Sequence, residues 1–180
     1  MALTSTMYAL QVSLAHVDRG VYESLDFRMA MHPSESPEYF VARLLAYCLE
    51  YAEGIGFSKG VSDPDDPTVS VRDLTGTITT WIEIGLPDAA RLHKASKAAP
   101  RVVVYIHKDP TVWQRQLAGE RIHKIERIEC VVLDRALVDA LVERLDRRLS
   151  IDLSVTDGEL FVNVGGETLT GTLTSLSLAT

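Results

Sequence analysis

Near the N-terminus the apolar side chains fall on alternate positions. Tyr8, Leu10, Val12 and Leu14 form one such set, and Leu25, Phe27, Met29 and Met31 form a second against Ser24, Asp26 and Arg28. Alternation puts each set on one face of a strand, and Asp18-Arg19-Gly20 supplies turn chemistry between them, so the pattern predicts a β-hairpin. His32-Pro33-Ser34-Glu35-Ser36-Pro37 then breaks it. Ser36 can cap a helix whose first position is Pro37, where the missing proline amide costs nothing. Phe40, Leu44, Cys48 and Tyr51 recur at helical spacing, and Gly54 and Gly56 are expected to close that helix.

A loop rich in Asp and Pro, Ser62 to Pro67, leads into an expected hairpin of Val69–Leu74 and Thr77–Ile84 about a two-residue Thr75-Gly76 turn. Pro87 is expected to start a second helix and Pro100 to end it. Arg101 to Ile106 carries the unbroken run Val102-Val103-Val104, as a strand buried on both faces does. Asp109-Pro110 opens a helix that Gly119 stops. Ile128 to Leu133 is another buried-type strand, and Asp134 caps a helix through Leu137, Leu141 and Leu145. A meander of three strands follows, with turns at Asp157-Gly158 and Gly165-Gly166. The expectation is an α/β (α+β) fold: a mixed central sheet flanked by helices, with an N-terminal hairpin and a C-terminal β-meander, in one domain over residues 1–180.

Composition adds little to this except by exclusion. The chain is 46% hydrophobic and 24% charged, enough for an ordinary core. No apolar run approaches the roughly 20 residues of a membrane helix. Met1-Ala2-Leu3-Thr4 does not begin a basic-then-apolar leader. With no apolar run of that length, no membrane partner is expected, and Cys48 and Cys130, far apart in apolar patterns, read as reduced core residues, which points to the cytoplasm. A net charge of −7 excludes a protein that coats nucleic acid indiscriminately. A local basic face survives that exclusion. From Pro87 to Lys108 the chain carries Arg91, Lys94, Lys97, Arg101 and Lys108 against Asp88. Arg91 and Lys97 are the candidates for contact with a nucleic-acid backbone, although such a run is also what a solvated helix face looks like.

The densest chemistry lies between Asp63 and Lys97. On the expected strand, Trp81, Glu83 and Gly85 share a face. A carboxylate in an apolar strand is costly to bury unless a metal, a basic side chain or hydrogen bonds compensate it. An acidic loop, a strand glutamate and a nearby lysine are what a Mg²⁺- or Mn²⁺-dependent phosphodiesterase needs, because carboxylates hold the cation and the cation activates water. Glu83 as a structural acid paired with Arg91 or Lys94 is the competing expectation. The His residues show no metal-ligand spacing, and only His32, beside the Pro-Ser-Glu run, stands near other candidate chemistry. No phosphate-cradling loop, nucleophile elbow or Rossmann fingerprint is present.

Two long motifs carry a resemblance. His32-Pro33-Ser34-Glu35-Ser36, leading into a helix with Arg43-Leu44-Leu45-Ala46, precedes Trp81-Ile82-Glu83-Ile84-Gly85-Leu86-Pro87-Asp88 with Arg91 and Lys94-Ala95. In this order they resemble the YaeQ family, over nearly the whole chain. That family is similar to a variant of the PD-(D/E)XK nuclease fold, which implies a restriction-endonuclease-like core and a divalent-cation site. Nuclease-like folds often add an acid from the first helix, which makes Glu38 an accessory candidate, with Arg43 beside it; a first-turn carboxylate is also favoured by the helix dipole alone.

The chain departs from the nuclease motif where it matters. Glu-x-Lys would put a lysine two residues beyond Glu83, and Gly85 stands there. Lys94 is the candidate replacement, since the advance from Pro87 to Lys94 is about 10 Å of helix, or roughly three strand residues back from Leu86, which reaches Glu83. A two-residue turn at Thr75-Gly76 sets Asp66 opposite Gly85 and puts Asp73 about 16 Å from Glu83. Asp66 and Glu83 are therefore the expected metal ligands, with Lys94 as the third catalytic residue and Asp65 or Asp63 as close substitutes for Asp66. A non-catalytic nucleic-acid- or protein-binding regulatory module on the same scaffold is the alternative.

Overall fold

A computed structural model describes residues 4–58 and 65–178; Asp63 lies outside them. The chain divides into two compact units, Met1–Leu44 with Leu133–Thr174, and Leu45–Val132 with Ser175–Thr180.

The first unit is built on a five-stranded sheet in the order β10-β9-β8-β1-β2. Strands β1 (Thr6–His16) and β2 (Val21–Met31) form the expected hairpin in unbroken antiparallel register, Thr6 opposite Met31 through His16 opposite Val21. Gly20 closes the turn at φ +67°, a conformation glycine adopts without strain. The strands β8 (Arg148–Thr156), β9 (Glu159–Val164) and β10 (Glu167–Thr172) are the expected meander, and β8 runs parallel to β1. Leu10, Val12 and Leu14 meet Leu149, Ile151 and Leu153 on the buried face, where alternation put them. Helix α4 (Arg135–Glu143) begins at Asp134, whose carboxylate accepts from the amides of Ala136 and Leu137. Leu145 lies beyond its end.

The second unit holds a six-stranded mixed sheet in the order β11-β7-β6-β5-β4-β3. Helix α1 (Pro37–Leu49), which belongs to the first unit up to Leu44, is shorter than its apolar pattern suggested, and Tyr51 falls outside it. Gly54 and Gly56 do not close the helix; they lead into and form part of an unexpected strand, β3 (Ile55–Phe57). The antiparallel strands β3, β4 (Val69–Arg72) and β5 (Ile78–Ile84) are followed by α2 (Ala89–Ala98) and by β6 (Arg101–Ile106), parallel to β5. Helix α2 starts two residues later than expected: Asp88, not Pro87, governs its entry, accepting from the Arg91 amide. Helix α3 (Thr111–Leu117), β7 (Glu129–Val132) and β11 (Thr174–Leu176) complete the element order.

Trp81, Leu92, Ala95, Val102, Val104, Trp113 and Cys130 pack into one core between α2 and the sheet. Cys48 and Cys130 are buried free thiols, both pushed up to about 12 by desolvation and so inert at neutral pH. Among the described residues, no helix is long and apolar enough to cross a membrane.

Candidate functional site

The hairpin that positions the site differs from the expected one at its tip and agrees with it at its base. The Asp73 amide donates to Thr77, leaving Leu74-Thr75-Gly76 as a three-residue turn with Gly76 at φ +86°. Arg72 consequently faces Ile78, and an irregularity between Val71 and Arg72 restores the expected pairing of Val71 with Thr80, Ser70 with Trp81 and Val69 with Ile82. Carried one step on, that register sets Thr68 opposite Glu83. Asp73 is spent in the turn, where its carboxylate accepts from Thr75 and Thr77 and is held below its ordinary pKa by those bonds.

Glu83 is 5% exposed, on the face of β5 that packs under α2. One of its oxygens, Oε1, accepts from Trp81 Nε1 at 2.7 Å, from Arg91 Nε at 2.8 Å and from Arg91 Nη2 at 2.7 Å. Arg91 Nη2 also donates to the Asp66 carbonyl at 2.7 Å, and the guanidinium lies over the Trp81 ring, 5.2 Å from its centroid. Thr68 adds a side-chain hydrogen bond to the same carboxylate. Burial raises the Glu83 pKa, and the bonds from Trp81, Arg91 and Thr68 oppose that rise without cancelling it.

The other candidates surround this pair. The Asp66 side chain points to Arg72, its Oδ1 3.0 Å from Nη2. Lys94, one helical turn beyond Arg91, bonds the Asp65 carboxylate. The basic side chain over Glu83 is thus Arg91, and Lys94 reaches the acidic loop. Gly85 has a reason of its own: it leaves β5 at φ +93°, and a Cβ there would meet nothing nearer than His107 Cε1 at 3.9 Å. Lys97 is exposed on α2. Arg91, by contrast, faces inward, so the two do not form one basic face.

Glu38 and Arg43 belong to the first unit. Arg43 is buried and bonds the Ala30 carbonyl at 2.6 Å and Glu35 at 3.0 Å, which fastens α1 to the end of β2. Glu38 is half-buried in the first turn of α1. His32 Nδ1 sits 2.6 Å from Ser34 Oγ in a local turn. A second ionic cluster lies outside the candidates that the sequence offers. Buried Glu50 accepts from Tyr105 Oη and Arg101 Nη1, each at 2.6 Å, and Arg101 reaches on to Glu129. Glu50 sits at the end of an apolar helix pattern, which was the available signal.

Mg²⁺ and Mn²⁺ take oxygens presented freely at about 2 Å. Here Oε1 of Glu83 already serves three N–H donors, and Asp66 serves Arg72. Among the described residues no three His, Cys, Asp or Glu side chains form a group able to hold a metal ion. In this arrangement Oε1 of Glu83 and Oδ1 of Asp66 serve guanidinium groups.

The fold is thus a mixed α/β protein with two mixed sheets and a buried Glu–Arg–Trp constellation under its second helix. The YaeQ protein family model matches residues 1–173, and the chain belongs to that family. It is 30% identical over 165 residues to the "uncharacterized protein YaeQ" of Salmonella typhi, and 30% over 166 residues to that of Escherichia coli K12, covering 91% of both chains in each case. The crystal structure of the YaeQ protein from Pseudomonas syringae superposes with a TM-score of 0.86 at 29% identity, covering 96% of each chain. That from Xanthomonas axonopodis pv. citri gives 0.86 at 28%, covering 97% of this chain and 99% of the other.

Proposed function

We propose that this chain is a non-catalytic binding module on a nuclease-like scaffold, in which Arg91 occupies the position that a divalent cation would take in an active relative. One observation carries this reading: Oε1 of Glu83 is saturated by Arg91 and Trp81, and the same guanidinium continues to the Asp66 backbone. A fixed positive charge in that place neutralises the glutamate as a cation would. It cannot supply an activated water.

The ligand to test first is nucleic acid, because the basic side chains left outward are grouped. Lys124 and Arg127 line a cavity of about 120 Å³ with Ser96 and Ala99 of the α2 end, and exposed Lys97 is adjacent in sequence. Against a net charge of −7 this supports weak, salt-sensitive contact with a phosphate backbone. Fluorescence anisotropy with labelled oligonucleotides at low salt, with Mn²⁺ present, should show binding without cleavage, and Lys97→Ala with Lys124→Ala should weaken it. Flat anisotropy at low salt would remove nucleic acid as the ligand.

A second reading, Mg²⁺- or Mn²⁺-dependent phosphodiester hydrolysis through Asp66, Glu83 and Lys94, is favoured by a different observation. Arg91 bonds both Glu83 and the Asp66 carbonyl, and Lys94, three residues on in the same helix, bonds the neighbouring loop acid Asp65. It requires Arg91 and Arg72 to release their carboxylates first. Cleavage of the same oligonucleotides that disappears in Glu83→Gln would decide for it.

A further inference from the structure

Strand β2 is the edge of the five-stranded sheet, and its sequence is complementary to itself. It runs 11 residues, with β1 as its one strand neighbour among the described residues. Long edges are usually blunted by lysine, proline or a bulge. β2 contains neither residue, and its pairing with β1 is unbroken.

The direction of its backbone groups follows from a single hydrogen bond. The Ala9 amide donates to the Arg147 carbonyl, on the β8 side. Odd-numbered residues of β1 therefore turn their N–H and C=O groups toward β8, and even-numbered residues turn theirs toward β2. Leu10 opposite Phe27 and Val12 opposite Leu25 are then the hydrogen-bonded pairs of the hairpin. On β2 it is Tyr22, Ser24, Asp26, Arg28 and Ala30 that present backbone groups outward. An independent contact agrees: the outward carbonyl that Arg43 bonds is that of Ala30. The side chains of Tyr22, Ser24, Asp26 and Arg28 are exposed, Tyr22 by 62%.

We propose that a second copy of this chain pairs with this edge, β2 antiparallel to β2, with the two-fold axis at Phe27. Outward-pointing residues must face outward-pointing residues, so only registers pairing even with even numbers are allowed. The axis at Phe27 sets Asp26 opposite Arg28 twice and Leu25 opposite Met29 on the core side, and the Ala30 carbonyl, already held by Arg43, ends the free edge there. Moving the axis by one residue either way sets Asp26 against Asp26 or Arg28 against Arg28, and like charges directly opposite are destabilising. The axis at Leu25 leaves Asp26 facing Ser24 and Arg28 facing Tyr22, with no opposite-charge pair. The opposite edge, β10, has its one charge at Glu167 and offers no such match. Joined at β2, the two sheets become one continuous ten-stranded sheet, five strands from each copy.

Sedimentation equilibrium of the full chain tests this. The wild type should sediment at twice 19.9 kDa. Asp26→Arg alone, or Arg28→Asp alone, sets like charges opposite each other at two places. Each should raise the dimer dissociation constant at least roughly tenfold. Both residues are exposed, so circular dichroism of the single variants should match the wild type. The double variant Asp26→Arg with Arg28→Asp recreates the pairing with signs exchanged, and should dimerise again. A monomeric wild type, a dimer indifferent to the single reversals, or a double variant no tighter than the singles would each overturn the proposal.

Discussion

Arg91→Ala should destabilise the protein by about 3–5 kcal/mol at neutral pH, the usual cost of removing one partner from a buried ion pair. The loss comes from Glu83, not from the arginine itself. Without the guanidinium the carboxylate, 5% exposed in the wild type, keeps Trp81 and Thr68 as donors among the described residues, in a site whose burial already raises its pKa. The variant also loses the tie between α2 and the Asp66 carbonyl. The sign of the pH dependence follows. A buried carboxylate with a raised folded pKa stabilises the fold below its unfolded value of 4.5, and that contribution is lost as pH rises through the folded value. Removing Arg91 raises the folded value further. The deficit of Arg91→Ala against wild type should therefore be largest near neutrality and shrink as the pH falls toward 4.5. Urea melts at several pH values measure it, and a deficit that stays flat with pH would mean that Glu83 is not its source.

Gly54→Ala should cost more than about 4 kcal/mol, in the range reserved for a named structural failure. Gly54 sits at φ +90°, and a Cβ built there lies 2.0 Å from the Arg72 carbonyl oxygen. The neighbour is backbone and cannot turn aside. The Gly54 carbonyl is meanwhile held by the Arg72 amide at 3.0 Å, so relieving the clash separates β3 from β4 next to the residue that binds Asp66. Gly20→Ala separates the two causes. It has a similar φ of +67° with nothing within 4 Å of its Cβ, so it should lose only about 1–2 kcal/mol through backbone strain. Equal losses for the two variants in urea melts would remove the clash as an explanation.

How far the sequence revealed this molecule depends on the scale of the interaction involved. Alternation over β1 and β2 read directly as a hairpin, because one buried face demands one register. The Val69–Ile82 pairing was legible for the same reason, even though the turn holds one more residue than expected. The extra residue and the irregularity at Arg72 cancel before the site is reached. β3 was hidden because Gly54 and Gly56 read as helix punctuation, and only the tertiary approach to Arg72 shows that Gly54 is needed for contact. The division of the strands into two sheets was not legible either, since periodicity reports faces and not neighbours.

Within the site, the residue types and their convergence could be read, and the bonding could not. Glu83 announced itself as an acid in an apolar strand. Whether Arg91 or Lys94 would cover it turned on the start of α2. Asp88, accepting from the Arg91 amide, sets that start at Ala89, which swings Arg91 over the glutamate and sends Lys94 on to Asp65.

The central claim is that Arg91 stands where a cation would. Calorimetric titration of the wild-type protein with MnCl₂, beside Glu83→Gln, tests it most directly. The account predicts heats indistinguishable from dilution, and the same trace for both proteins. Saturable heat in the wild type that vanishes in Glu83→Gln would contradict it.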